Sequence, residues 1–127
     1  MHIVELVKDF TFEAAHRLPN LPETHKCYNL HGHSYRVEVR VRGPVDPRVG
    51  WYIDFAAIKT AWEPLFKLLD HKYLNEVRGL ENPTAEMIAV WVFERIKIDL
   101  PGLVEVAVHE TPTSRAIYRG ERTGELS

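Results

Sequence analysis

The stretch from Cys27 to His33 contains the residue types that most directly indicate chemistry, because it ends in a His-Gly-His triplet. If a strand begins here, His31 and His33 lie on one face, roughly 7 Å apart. Gly32 between them allows another group to approach the backbone closely. Neutral imidazole is a common metal ligand, so the pair predicts two ligands of a metal site.

A third ligand is available in His16, which ends a predicted N-terminal strand. A hairpin-like pairing of that strand with the strand after His33 would place His16 beside the other two histidines. Three histidines with one open coordination position are typical of catalytic zinc sites. The alternative is that His31 and His33 belong to the core and His16 is an exposed strand end, since His-x-His is a short and frequent motif.

Cys27 is the single cysteine of the chain and lies in a polar, proline-containing loop. It is a candidate fourth metal ligand, which would close the site. It is also a candidate reactive thiol, because the neighbouring Lys26 favours a thiolate. A free cysteine can also be an inert buried side chain.

Asp70 and His71 follow the last apolar turn of a predicted helix. If the helix has ended there, the Asp70 carboxylate can fix the tautomer of His71, which would then serve as a proton acceptor. The alternative is a helix cap, in which His71 is stabilised by the negative end of the helix dipole. Glu110 ends a predicted strand, and residue type alone suggests that it is solvated surface.

The elements that must position these side chains form the order strand, strand, helix, helix, strand, strand. Grouped helices favour an α+β fold with an antiparallel sheet covered by helices on one face. Asp54 and Thr84 are the predicted N-terminal caps of the helices. The predicted strands span residues 3–16, 34–42, 103–110 and 116–119, and the predicted helices span residues 54–69 and 85–98.

Composition limits the class of protein. A length of 127 residues fits one domain over residues 1–127, and a net charge of −2 argues against a nucleic-acid partner. The sequence has no apolar run long enough to suggest a membrane span. A single cysteine cannot form an internal disulfide, which suits a reducing compartment. We therefore expect a cytoplasmic protein with no membrane partner.

Several motifs follow one another in a fixed order between Lys8 and Glu121. They are Phe10-Thr11-Phe12-Glu13-Ala14-Ala15-His16, Cys27-x3-His31-Gly32-His33, Asp54-Phe55, Leu69-Asp70-His71-x2-Leu74-Asn75, Asn82-Pro83-Thr84-x-Glu86 and Glu110-Thr111. In this combination the sequence resembles the 6-pyruvoyl-tetrahydropterin synthase superfamily. Motifs spaced in the right order are far more specific than any one of them alone.

The resemblance implies a tunnelling fold (T-fold), in which a four-stranded antiparallel sheet with two helices on one face assembles with other subunits into a barrel. It implies a homohexamer, a dimer of trimers, with sites between subunits. It also implies roles for particular residues: zinc (Zn2+) held by His16, His31 and His33; proton transfer by Cys27, Asp70 and His71; and a pterin anchored by Glu110 with help from Thr84 and Thr111.

The three-residue gap between Cys27 and His31 is similar to that of the carboxy-forming bacterial members of the superfamily. This implies a lyase that converts 7,8-dihydroneopterin triphosphate to 6-carboxy-5,6,7,8-tetrahydropterin in queuosine (7-deazapurine) precursor synthesis. The alternatives are a pyruvoyl-forming or sepiapterin-type reaction and, in another class, a non-catalytic zinc-binding interaction module. Basic residues near the motifs that could meet the triphosphate are Arg17, Lys26 and Arg115.

Overall fold

A computed structural model describes residues 1–124, which form one mixed sheet packed against two helices. The sheet contains β1 (Ile3–His16), β2 (His31–Pro44), β3 (Lys72–Tyr73), β4 (Leu103–Thr111) and β5 (Ser114–Tyr118), in the spatial order β3-β1-β2-β4-β5. The helices are α1 (Phe55–Leu69) and α2 (Ala85–Asp99), and single turns of 3-10 helix occur at Lys26–Tyr28 and Leu74–Glu76. No helix among the described residues is long and apolar enough to cross a membrane.

The core lies between the helices and one face of the sheet. Alternation along β2 buries Tyr35, Val37, Val39 and Val41 completely, as the period of two predicts. The opposite face of the sheet carries cross-strand ion pairs, including Arg36 with Asp9 at 2.9 Å. The sheet therefore has an apolar face under the helices and a charged face away from them.

Both predicted helix caps are confirmed. The Asp54 side chain accepts a hydrogen bond from the Ala56 amide at 2.9 Å, and the Thr84 hydroxyl accepts one from the Met87 amide at 3.1 Å. These bonds satisfy amide groups that the first turn of a helix leaves without partners. The α+β class with both helices on one face is therefore the observed fold.

The expected number of strands was wrong by one, because β3 is a fifth strand. Lys72 and Tyr73 pair in parallel with Ala14 and Ala15 of β1. His71, directly before β3, has a φ of 57° and turns the chain as it leaves α1. A strand of two residues is too short to show alternation in the sequence, so this pairing left no periodic signal.

Candidate metal centre and active site

The pairing of β1 with β2 brings the predicted histidines together. Each strand has 14 residues, and the antiparallel register places His16 opposite His31 and Ala14 opposite His33. The donor atoms of His16, His31 and His33 all lie within 4.8 Å of one another. His16 is fully buried and the other two are partly buried, so the cluster sits at the rim of the core as the strand parity predicted.

Hydrogen bonds to backbone carbonyls fix the tautomers of two of these histidines. Nδ1 of His16 lies 2.7 Å from the Pro83 carbonyl oxygen, and Nδ1 of His31 lies 2.8 Å from that of Asn29. A carbonyl oxygen only accepts, so each Nδ1 donates and each Nε2 presents a lone pair. The two Nε2 atoms are 2.9 Å apart, a separation at which their lone pairs repel unless they share a cation.

The third histidine also presents an unpaired nitrogen. Nε2 of His33 is buried without a hydrogen-bond partner, and the nearest carboxylate oxygen, Oε1 of Glu110, is 3.6 Å away. Burial lowers the pKa of both His16 and His33, an effect that the nearby Glu110 carboxylate opposes. Neutral imidazoles with converging lone pairs are the form that binds a metal, so this donor set fits a zinc ion with an open position.

Cys27 lies outside this cluster. It occupies the 3-10 turn Lys26–Tyr28, where its amide donates to Nδ1 of His25 at 3.0 Å and its carbonyl accepts from the Leu18 amide at 2.9 Å. Within residues 1–124, the group of converging donor atoms contains the three histidines and excludes Cys27. Cys27 is free and only partly buried, which favours a reactive thiol over a fourth metal ligand or an inert core side chain.

Asp70 and His71 form a hydrogen-bonded pair beyond the end of α1. Oδ2 of Asp70 lies 2.7 Å from Nδ1 of His71, while Oδ1 accepts from the Glu13 amide at 2.9 Å. The Glu13 amide and then the His71 side chain hold the pKa of Asp70 below its usual value. The ionised carboxylate keeps the proton on Nδ1 of His71, and the side chain of His71 is 77% exposed. The pair thus has the geometry of a proton acceptor oriented by a carboxylate.

His33 lies between two open cavities. One, of about 590 Å³, is shared with His71 and Lys72. The other, of about 560 Å³, is shared with Glu110 and Thr111. Cys27 lines neither of these two cavities.

The remaining predicted residues lie around the second cavity and the start of α2. The side chain of Glu110 is 28% exposed, and Glu110 also lines a smaller cavity of about 340 Å³ with Ala85 and Arg115. The hydroxyl of Thr84 is already an acceptor for the Met87 amide. Thr84 therefore has a structural role in addition to any contact with a ligand.

Sequence reasoning missed the groups that orient His16. The fully buried Tyr35 hydroxyl lies 3.2 Å from Nδ1 and 3.4 Å from Nε2 of His16, and burial raises the pKa of this phenol, so it stays protonated. The Pro83 contact uses a backbone carbonyl, which no residue type reveals. Tyr35 had a signal, because it shares strand parity with His31 and His33.

Comparisons of the sequence and of the structure with known proteins identify the family of this chain. The family model for 6-pyruvoyl tetrahydropterin synthase matches residues 5–121. A 6-carboxy-5,6,7,8-tetrahydropterin synthase of Synechocystis is 43% identical over 95% of this chain and 97% of its own length. A 6-pyruvoyl tetrahydrobiopterin synthase of Drosophila melanogaster is 39% identical, over 91% of this chain and 79% of its own. The solved structure of Caenorhabditis elegans 6-pyruvoyl tetrahydropterin synthase is 31% identical, with a TM-score of 0.86 over 95% of this chain and 98% of that one.

Replacing His33 with alanine tests the metal centre. His33→Ala removes a nitrogen that has no other partner, so we expect zinc affinity to fall by at least about 100-fold, more than the loss of a residue that merely supports a ligand. Competition with a chromophoric chelator and elemental analysis measure the change. The exposed His2→Ala is the matched control and should bind like the parent; full zinc occupancy in His33→Ala would remove His33 from the ligand set.

Proposed function

The chain belongs to the 6-pyruvoyl tetrahydropterin synthase family and is a pterin-synthase-type lyase, and from that premise we propose that it converts 7,8-dihydroneopterin triphosphate to 6-carboxy-5,6,7,8-tetrahydropterin, acetaldehyde and triphosphate. The observation that carries the chemistry is the cluster of converging, neutral imidazoles beside an open cavity. The carboxy product is supported by the Synechocystis relative, which matches over nearly the whole of both chains. The product would serve queuosine (7-deazapurine) precursor synthesis.

The proposed reaction balances with one molecule of water and without an external oxidant or reductant. Water supplies an oxygen of the carboxylate when the carbon–carbon bond is cleaved and acetaldehyde leaves. The pterin ring gains two hydrogens as it goes from dihydro to tetrahydro, while the side-chain carbon next to the ring is oxidised to a carboxylate. Electrons therefore pass from the side chain to the ring, and the enzyme has to move protons and cleave bonds. Such chemistry requires a base, an acid and a group that stabilises negative charge.

Zinc would supply the group that stabilises negative charge. We propose that His16, His31 and His33 hold it through the nitrogen atoms that lack a proton or a partner. When bound, zinc supplies a Lewis acid for the side-chain oxygens of the substrate and stabilises the charge left when the neighbouring C–H proton departs. The lowered pKa values of His16 and His33 keep these ligands neutral at pH 7.

Two groups are proposed to carry protons. His71 keeps its Nδ1 proton through Asp70, so Nε2 is the atom that accepts or returns a proton, and His71 shares a cavity with His33. Cys27 is the second proposed carrier, through its thiol. Because Cys27 lines neither cavity at His33, we propose that the complete site forms between neighbouring subunits of a homohexamer.

The sheet edges are consistent with this assembly. β3 covers only Ala14 and Ala15 on the outer edge of β1, and β5 is the last strand at the other side of the sheet. Unpaired strand edges form hydrogen bonds readily with a further strand, including one from another copy. Association through these edges would close the sheets of several subunits into a barrel.

Glu110 is proposed as the anchor for the pterin ring. The ring edge presents adjacent N–H donors, which a carboxylate accepts as a fork, much as it accepts a guanidinium group. Glu110 and Thr111 line the same cavity as His33, so a bound ring can extend its side chain toward the histidines. Thr84, partly buried at the start of α2, is proposed as a further polar contact.

The products of the zinc-loaded protein test this proposal directly. Incubation with 7,8-dihydroneopterin triphosphate should yield acetaldehyde and 6-carboxy-5,6,7,8-tetrahydropterin in equal amounts, measured by mass spectrometry. A pyruvoyl product without acetaldehyde would assign the reaction named for the Drosophila relative. Neither turnover nor pterin binding by a metal-loaded protein would instead indicate a zinc-binding interaction module.

Replacing Cys27 with alanine separates proton transfer from metal binding. We expect Cys27→Ala to keep its zinc, because the thiol lies outside the histidine cluster, and to lose at least about 100-fold in kcat, the usual contribution of a positioned acid or base. The exposed Thr24→Ala in the same loop is the control. Near-normal product formation by Cys27→Ala, followed by chromatography, would exclude this role.

Replacing Glu110 with glutamine tests the anchor. Glu110→Gln keeps the shape of the side chain but removes its charge, so we expect pterin affinity to fall about 10- to 100-fold, the range for losing hydrogen bonds to a charged group. Fluorescence titration with a pterin ligand gives the affinity, and zinc content should not change. The exposed Glu121→Gln serves as the control; unchanged affinity in Glu110→Gln would count against the anchor.

A further inference from the structure

Asn75 makes an unusual pair of hydrogen bonds with a single backbone residue. Its Oδ1 accepts from the Arg17 amide at 3.0 Å, and its Nδ2 donates to the Arg17 carbonyl at 2.9 Å. The side-chain amide thus satisfies both backbone groups of Arg17, as a neighbouring strand would. Arg17 follows His16 directly, at the point where β1 ends and the chain leaves the sheet.

The segment that contains Asn75 is bonded to β1 on both sides of His16. Before His16, the Glu13 amide donates to Asp70. After His16, Arg17 is held by Asn75. The Asp70–His71 pair and the end of β1 are therefore fixed to each other at two points, with the metal-binding position between them.

The bonds of Asn75 also reach the Cys27 loop. Leu18, the residue after Arg17, donates its amide to the Cys27 carbonyl at 2.9 Å. The Arg17 guanidinium lies over the Tyr28 ring, 4.7 Å from its centroid. The Cys27 loop is thus in contact with Arg17 and Leu18, the two residues that follow His16.

We propose that Asn75 is a positioning residue. It fixes the position of Cys27 relative to the three histidines, acting through the backbone of Arg17 and Leu18. The inference rests on the proposed function, in which Cys27 carries protons. Nδ2 of Asn75 also donates to the Glu81 carbonyl at 3.4 Å, two residues before Pro83. The inference does not require Asn75 to hold the metal, because the His16 backbone is paired with β2 and the His16 ring contacts the Pro83 carbonyl.

Replacing Asn75 with alanine tests the inference. Displacing a reacting group by about 1 Å costs on the order of 100-fold in rate, so we expect Asn75→Ala to lose about 10- to 100-fold in kcat. Zinc content and the affinity for a pterin that lacks the triphosphate should stay within about threefold of the parent, because the hydrogen bonds of Asn75 reach neither Glu110 nor the three histidines. Hydrogen exchange at the Leu18 amide should accelerate, since its bond to Cys27 loosens.

Two further variants keep the test decisive. Asn75→Asp retains an acceptor for the Arg17 amide and loses the donor, so its kcat should lie between those of the parent and Asn75→Ala, even if the alanine variant folds poorly. Asn20→Ala, an exposed position in the same loop, is the matched control and should behave like the parent.

A double variant separates this inference from the proposed function. If Asn75 acts through Cys27, Asn75→Ala in a Cys27→Ala background should cause no further loss in single-turnover rate. An additive loss, or a kcat for Asn75→Ala within threefold of the parent, would overturn the inference alone. If Asn75→Ala loses zinc to the same extent as it loses kcat, the substitution acts through the histidines, and this result would also overturn the inference. Full turnover by Cys27→Ala would overturn the role proposed for Cys27 together with the inference.

Discussion

The register between β1 and β2 is the constraint on which the rest of the site depends. It places His16 opposite His31, and a slip of one residue would turn the side chain of every residue in a strand to the other face. The register is fixed by the apolar residues that β2 buries under the helices, among them Tyr35 and Val37. The packing of the core therefore determines where the imidazoles meet.

The arrangement of the three histidine rings favours a cation between them. His16 and His31 direct lone pairs at each other across 2.9 Å, and the nitrogen of His33 is buried without a partner. Protonating the rings would not relieve this easily, because burial lowers the pKa of His16 and His33. A ligand that binds only the folded state stabilises that state, so a metal here would contribute to folding as well as to chemistry.

Sequence patterns predicted the parts of this structure that side chains specify. Alternation located β2 and its buried face, capping residues located both helices, and the hairpin argument identified His16 as the partner of His31. The contacts that sequence patterns did not predict are made by backbone groups. They are the hydrogen bond between the Pro83 carbonyl and His16 and the parallel pairing of β3 with β1. Residue types do not encode such contacts, and the position of Cys27 relative to Asp70 involves elements far apart in the sequence.

The proposed metal ligands and the proposed proton carriers are held by different kinds of structure. The histidines lie in or at the end of long paired strands, where many ladder bonds fix each backbone position. Cys27 lies in a single 3-10 turn, and His71 has a φ of 57°, a left-handed conformation that costs a non-glycine residue on the order of 1–3 kcal/mol. The His71 amide donates to the Glu13 carbonyl, and the Asp70 carboxylate accepts from the Glu13 amide and from Nδ1 of His71, so both the backbone and the ring of His71 are held. His71 directly follows Asp70, the C-cap residue of α1, so its left-handed conformation also ends the helix. The same turn leaves its imidazole exposed and oriented by a carboxylate, which is the arrangement that the proposed proton transfer requires.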